Sequence, residues 1–239
     1  DDRAGEFMDW AFDILGYPVD PQAGLVAARQ LTEYSEPVLA QRRARPVDDL
    51  LSSMCTSRRD GRGLDDEEVM SHLRAIFSAG ATTSYHGLGN TLFALLTNPV
   101  LMQRLRAEPE LVERAVDEML RWEPPLALLP RLVTEDTTIA GQEVAAGTML
   151  LFGIASANRD PAAHHHPDSF DIDRDPSRLL TFGFGSHYCP GSHLAKAQIV
   201  AGVRALLDRF DEVRLLDAGA ARPNGTVMRG PIQLPVALG

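Results

Sequence analysis

The sequence is poor in cysteine, with 2 residues in 239, and aromatic side chains make up only 6% of it. Cys55 and Cys189 form no framework pattern, which excludes a disulfide-stapled fold and points to a reducing, cytoplasmic compartment. Positive charge is in deficit: 23 Lys and Arg stand against 33 Asp and Glu, a net charge of −10, which argues against general nucleic-acid binding. No apolar stretch approaches the length of a membrane span, and no secretory leader is visible. Repeats, low-complexity linkers and phosphate-cradling glycine patterns are also missing, so no nucleotide site is read. The chain opens Asp1-Asp2-Arg3 without a methionine, which suggests that an N-terminal part is missing.

What is present is enough for a sizeable core, since 44% of the residues are apolar. Helical spacing covers Glu6 to Leu15, Pro21 to Arg43, Asp48 to Thr56, Asp65 to Leu96, Pro99 to Ala107 and Pro109 to Trp122. Pro46 and a Gly61-Arg62-Gly63 turn punctuate the early part. Between Arg131 and Leu151 the residues Val133, Thr137, Thr138, Ile139, Val144 and Thr148 favour short strands, with turns at Gly141-Gln142 and Ala146-Gly147. A loop-rich stretch from Asn158 to Leu180 precedes a last helix ending near Phe210, and two or three short strands close the chain. The expectation is one domain over residues 1–239, mainly α with small β-sheets, an α+β fold.

The most informative run is Phe182-Gly183-Phe184-Gly185-Ser186-His187-Tyr188-Cys189-Pro190-Gly191. A cysteine ligates a metal only as the thiolate, which is favoured where helix N-terminal amides converge on the sulfur. Pro190 suits a first helical position, so Cys189 is expected to be an N-cap. Gly183, Gly185 and Gly191 allow close backbone approach to a flat ligand, while Phe182 and Phe184 offer apolar cover for the sulfur. Cys55 lies among ordinary apolar residues and is given no role.

The spacing Phe-Gly-x-Gly-x-His-x-Cys-x-Gly resembles the heme-ligand loop of the cytochrome P450 family. The resemblance implies that Cys189 is the axial ligand of a heme b iron and that His187 hydrogen-bonds a propionate. In the longest helix, Ala79-Gly80-Ala81-Thr82-Thr83-Ser84 is a poor helix-forming segment, at which an inserted hydroxyl would widen or kink the helix. It resembles the family's oxygen groove, Ala-Gly-x-acid-Thr-Thr. Gly80 then leaves room over the heme, Ala79 lies against it, and Thr83 is the alcohol that helps relay protons. Thr82 stands where the family usually has a carboxylate, so protons must pass through Thr83, Thr82 and water.

Glu118 and Arg121 share a helix face and can pair, which by itself reads as a surface ion pair. The resemblance makes this pair buried and structural, completed by an arginine before the heme cysteine, here Arg174. It also makes Arg131 a second propionate ligand and places Ala127, Leu128 and Leu129 on the substrate side. A hydrophobic small-molecule substrate and a ferredoxin or flavoprotein electron donor follow from it, with Lys196 and Arg204 as a basic docking face or a solvated helix face. His164-His165-His166 between two prolines reads as a solvated loop, because adjacent imidazoles do not easily share one ion. The family's N-terminal helices have no counterpart before Asp1, and with Thr82 at the acid position this keeps a non-catalytic, partner-binding or simple heme-binding reading beside the monooxygenase.

Overall fold

The computed structural model describes residues 3–239, so Asp1 and Asp2, at the chain start that lacks methionine, lie outside the described residues. The backbone divides into two compact units, Asp1–Thr82 and Thr83–Gly239. The chain is mainly helical with small two-stranded sheets. No helix among the described residues is long and apolar enough to cross a membrane.

The first unit holds α1 (Ala4–Leu15), α2 (Pro21–Ala44), α3 (Leu50–Thr56), a hairpin of β1 (Arg58–Arg59) and β2 (Arg62–Gly63), and the start of α4 (Asp66–Leu96). Asp20 caps α2 by accepting from the Ala23 amide at 3.0 Å, and Pro21 occupies the first turn, where its missing N–H costs nothing. α1 buries Trp10 and Ala11 against Ala27 and Leu31 of α2, with Phe77 packed beside them. Leu39, Cys55, Val69 and Met70 form a second cluster. Arg43 ties that cluster's borders together through the carbonyls of Cys55 and Leu64 and the Asp66 carboxylate. The turn at Asp60-Gly61 has positive φ at both residues, the backbone of a two-residue hairpin, so the segment read as a plain turn is a short hairpin. α4 opens with a reciprocal cap: Asp65 accepts from the Glu68 amide at 2.9 Å, and Glu68 accepts from the Asp65 amide at 3.0 Å.

The second unit holds the rest of α4, then α5 (Pro99–Ala107) and α6 (Val112–Trp122), which a 3-10 turn at Pro109–Leu111 precedes. β3 (Leu128–Leu132) pairs antiparallel with β6 (Met149–Gly153), placing Arg131 opposite Leu150, and β4 (Thr137–Ile139) pairs with β5 (Gln142–Val144). α7 (Ile154–Ala157) leads into the long loop, and α8 (Ser192–Arg209) is followed by β7 (Val213–Leu215) and β8 (Val236–Leu238), an antiparallel pair. Val112, Ala115, Val116, Met119 and Leu120 form the buried stripe of α6, at helical spacing, and meet Ile199, Val203 and Leu207 of α8. α4 and α8 cross closely because a methyl on Gly87 would stand 2.8 Å from Ile199 and one on Gly202 would stand 2.9 Å from Leu88. This core sits directly behind the cysteine loop, since Phe182 packs against it.

Candidate functional site

The loop before α8 is held by its own backbone. The Gly183 amide donates to Leu180 at 2.8 Å, Tyr188 to Gly185 at 3.0 Å, and Cys189 to Phe182 at 2.9 Å. Gly183 and Gly185 have φ of 76° and 73°, left-handed values that an L side chain adopts only with strain. Cys189 is a free, half-buried thiol. It is not the N-cap: α8 starts at Ser192 with Gly191 at that position, and the Ser192 amide donates to the Cys189 carbonyl at 3.3 Å. Pro190 and Gly191 complete a turn first, so the helix begins later than the proline suggested. A methyl on Gly191 would meet the Cys189 sulfur at 3.9 Å, so glycine leaves that flank of the sulfur open. Of the two phenylalanines, Phe182 is half-buried against the core while Phe184 is 87% exposed and covers nothing among the described residues. Phe184 is extended between two left-handed glycines, which turns its ring outward.

Behind this loop lies a buried ion group. Arg121 donates through Nε and Nη2 to the two oxygens of Glu118, both at 2.8 Å, and each side chain is 3% exposed. Arg174 adds Nε to Glu118 Oε1 at 3.3 Å, and the Asp171 amide reaches the same oxygen at 2.8 Å. The remaining donors hold main-chain carbonyls: Arg121 those of Asn158, Pro167 and Ser169, Arg174 those of His165, His166 and Ser169. Every donor of Arg121 is matched, which is the condition for a buried guanidinium.

Asn158 connects this group to the cysteine loop. Fully buried, it accepts from the Leu180 amide at 2.9 Å and donates to Thr181 Oγ1 at 2.8 Å, while Thr181 donates to the Leu120 carbonyl. Sequence reasoning passed over it. An asparagine two residues before Asp160-Pro161 carries the ordinary signal of a turn, and nothing local says that its amide faces a segment more than twenty residues on.

α4 remains helical through 79–84. The Thr82 hydroxyl donates to the Ser78 carbonyl at 2.9 Å and that of Ser78 to the Arg74 carbonyl at 2.9 Å, so both close against their own helix. Thr82 is fully buried and its hydrogen is engaged, whereas Thr83 is half-buried. Ala79 and Gly80 are exposed, and a methyl on Gly80 would meet no atom within 4 Å. On the same helix, burial lowers the pKa of His86.

Arg131 and His187 are both exposed, and neither forms an ion pair among the described residues; Arg131 donates only to the Pro130 carbonyl. Ala127 is buried, with Leu128 and Leu129 half-buried on β3. The proposed basic docking face is largely neutralised: Lys196 pairs with Asp117 at 2.6 Å and Arg204 with Glu113 at 3.6 Å, because α8 lies against the acidic side of α6. The histidine run also differs from a solvated loop. His165 and His166 are exposed, but His164 is 5% exposed. No cluster of three His, Cys, Asp or Glu able to hold a metal is found among the described residues.

Comparison with known proteins decides the family. The model of the family described as Cytochrome P450 matches residues 26–218. The chain belongs to the cytochrome P450 family. It is 34% identical over 239 residues to pulcherriminic acid synthase of Bacillus subtilis, covering 96% of this chain and 59% of that protein. With a steroid C26-monooxygenase of Mycobacterium tuberculosis it shares 32% identity over 223 residues, 91% of this chain and 60% of the relative. The solved structure of PksS, the P450 of the Bacillus subtilis bacillaene polyketide synthase, superposes with a TM-score of 0.89 at 31% identity, over 99% of this chain and 62% of that one. The chain thus spans about three-fifths of these P450 relatives. The donors present suit a heme: one free thiol on a rigid turn whose flank carries no side chain, and two exposed cationic or hydrogen-bonding side chains, Arg131 and His187, without carboxylate partners among the described residues.

Proposed function

We propose that this chain is the C-terminal share of a single P450 domain and that the intact protein is a heme-thiolate monooxygenase acting on an apolar small molecule. The observation that carries the reading is the Cys189 turn, where backbone hydrogen bonds and two left-handed glycines fix a free thiol. When bound, heme b supplies activation of dioxygen, and thiolate ligation favours O–O cleavage. Cys189 holds the iron; Arg131 and His187 hold a propionate, to which a planar guanidinium can offer two parallel donors. Phe182, Gly183 and Gly191 shape the thiolate side, and the resemblance assigns Ala79 and Gly80, both exposed and small, to the cofactor as well. Thr83 is the hydroxyl that passes protons, at the position of the alcohol in the family's oxygen groove, and Thr82 beside it donates to the Ser78 carbonyl. Leu128 and Leu129 offer apolar wall, and the steroid named for one relative supports an apolar substrate. Electrons come from a ferredoxin or flavoprotein, and two free cysteines support a cytoplasmic setting.

The test is the reduced carbon-monoxide difference spectrum of the intact protein. The wild type should give the Soret band typical of thiolate ligation, and Cys189→Ser should lose it. A band that survives in the serine variant removes Cys189 as ligand, and a wild type that retains no heme removes the enzyme reading. Thr83→Ala should lower the product formed per electron pair consumed; unchanged coupling would remove Thr83 from the proton path.

A further inference from the structure

Among the described residues, the buried Nε2 of His164 has no hydrogen-bond partner in the protein. The ring lines a small cavity of about 20 Å³ with Arg114, Asp117, Glu118, Arg121 and Arg174. That volume is enough for one water molecule. Two groups in its wall retain hydrogen-bonding capacity. Glu118 Oε2 accepts from Arg121 Nε alone, and Arg174 Nη1 donates once, to His165, leaving a second hydrogen. A buried imidazole nitrogen without a partner is costly, and a water that reaches two or three such groups removes the cost.

We infer that His164 is a fourth member of the Glu118–Arg121–Arg174 group, joined to it through one water, and that it holds the loop of residues 158–169 only while it is neutral. The surroundings on every side are charged. α6 presents Arg114, Asp117, Glu118 and Arg121, and the segment beyond the loop presents Arg174 and Arg178. On its own turn His164 donates its amide to the Asp160 carbonyl, with His165 and His166 exposed next to it. Asp117 is already paired with Lys196, and Glu118 with two arginines, so no free carboxylate is left to welcome an imidazolium. Burial first, then Arg121 and Arg174, hold the His164 pKa below its ordinary 6.5, with Glu118 opposing. Protonation would set a further positive charge beside the two arginines that hold this loop's carbonyls and would push the loop away from them.

The sign follows. A histidine with a depressed folded pKa leaves stability intact above about 6.5 and removes it as pH falls through that value, because the unfolded chain takes up the proton first. Thermal unfolding of the intact, heme-loaded protein from about pH 8 to about pH 5 reads this directly. Wild-type Tm should fall further across that interval than the Tm of His164→Phe, by on the order of 2–4 °C. His164→Gln, which can hydrogen-bond to the water but does not titrate, should show the same flattened profile and keep a neutral-pH Tm closer to wild type than the phenylalanine variant does. If His164→Phe does not fold, the glutamine variant carries the test alone. Parallel profiles for wild type and variant would overturn the inference; His86, also depressed by burial, is common to all three proteins and cancels. Replacing chloride at constant ionic strength should leave Tm unchanged, whereas a chloride-dependent Tm would put an anion in the cavity and overturn the water.

Discussion

Replacing Glu118 with glutamine removes one charge and almost no volume. The carboxylate accepts two hydrogen bonds from Arg121, one from Arg174 and one from the Asp171 amide. Glutamine can keep one acceptor oxygen for Asp171 and Arg174, but its NH₂ then faces Arg121, donor against donor. The guanidinium of Arg121, 3% exposed, is left without a counter-ion. Breaking a buried pair by removing one partner costs about 3–5 kcal/mol, a large part of the 5–15 kcal/mol that separates a typical domain from its unfolded state. At about 2–4 °C per kcal/mol for a chain of this size, Tm should fall by roughly 6–20 °C. The assay is denaturant and thermal unfolding of the intact protein, with Asp173→Asn as the control. Asp173 pairs bidentately with Arg104, but at 54% and 39% exposure that bridge should matter too little to resolve. If Glu118→Gln loses no more than Asp173→Asn, the ion group is not what holds the loop.

Three further outcomes are expected. Gly183→Ala and Gly185→Ala each have room for a methyl, so the loss is conformational, about 1–2 kcal/mol for an L residue held at positive φ, measurable as a lower denaturation midpoint. Asp65→Ala removes the side-chain half of the α4 cap and should cost about 0.5–2 kcal/mol, whereas Asp65→Asn should restore most of it. The Asp49 carboxyl is lowered to about 2, chiefly by the hydrogen bond from Arg42 and then by the Ser52 amide, so its contribution is complete above 3.8 and is lost as pH falls through about 2. Asp49→Asn should flatten the acid limb of the stability profile in that range.

Helix limits were readable wherever a residue both starts and enforces a helix. Pro21 and Pro99 each stand at a first turn behind a capping Asp20 or Asn98, and both helices begin there. Pro190 carries the same local signal, yet the chain turns once more before α8, because Ser192 and not Gly191 first finds helical geometry. Local chemistry does not specify that extra turn. Thr82 reads as a helix disturber; its hydroxyl bonds the Ser78 carbonyl one turn back, and α4 remains helical there. The acidic partners of Lys196 and Arg204 and the burial of His164 were not legible for one reason: they come from α6 and the ion group, dozens of residues away in the chain. The turn around Cys189 was legible because its thiol, glycines and hydrogen bonds all lie within one short segment. Asn158 was not, because its partners lie across a loop.

Arg121 and Arg174 grip the carbonyls of Asn158, His165, His166, Pro167 and Ser169, so their direct hydrogen bonds to that loop, among the described residues, are to its main chain. A carbonyl is the same group in every amino acid. The loop's exposed positions are therefore free to drift in sequence, while its length is fixed to the residue: one insertion would shift every carbonyl past its guanidinium at once and carry the slip through Asn158 to Leu180 and the cysteine turn. Relatives that share this clamp should vary there by substitution and not by gaps.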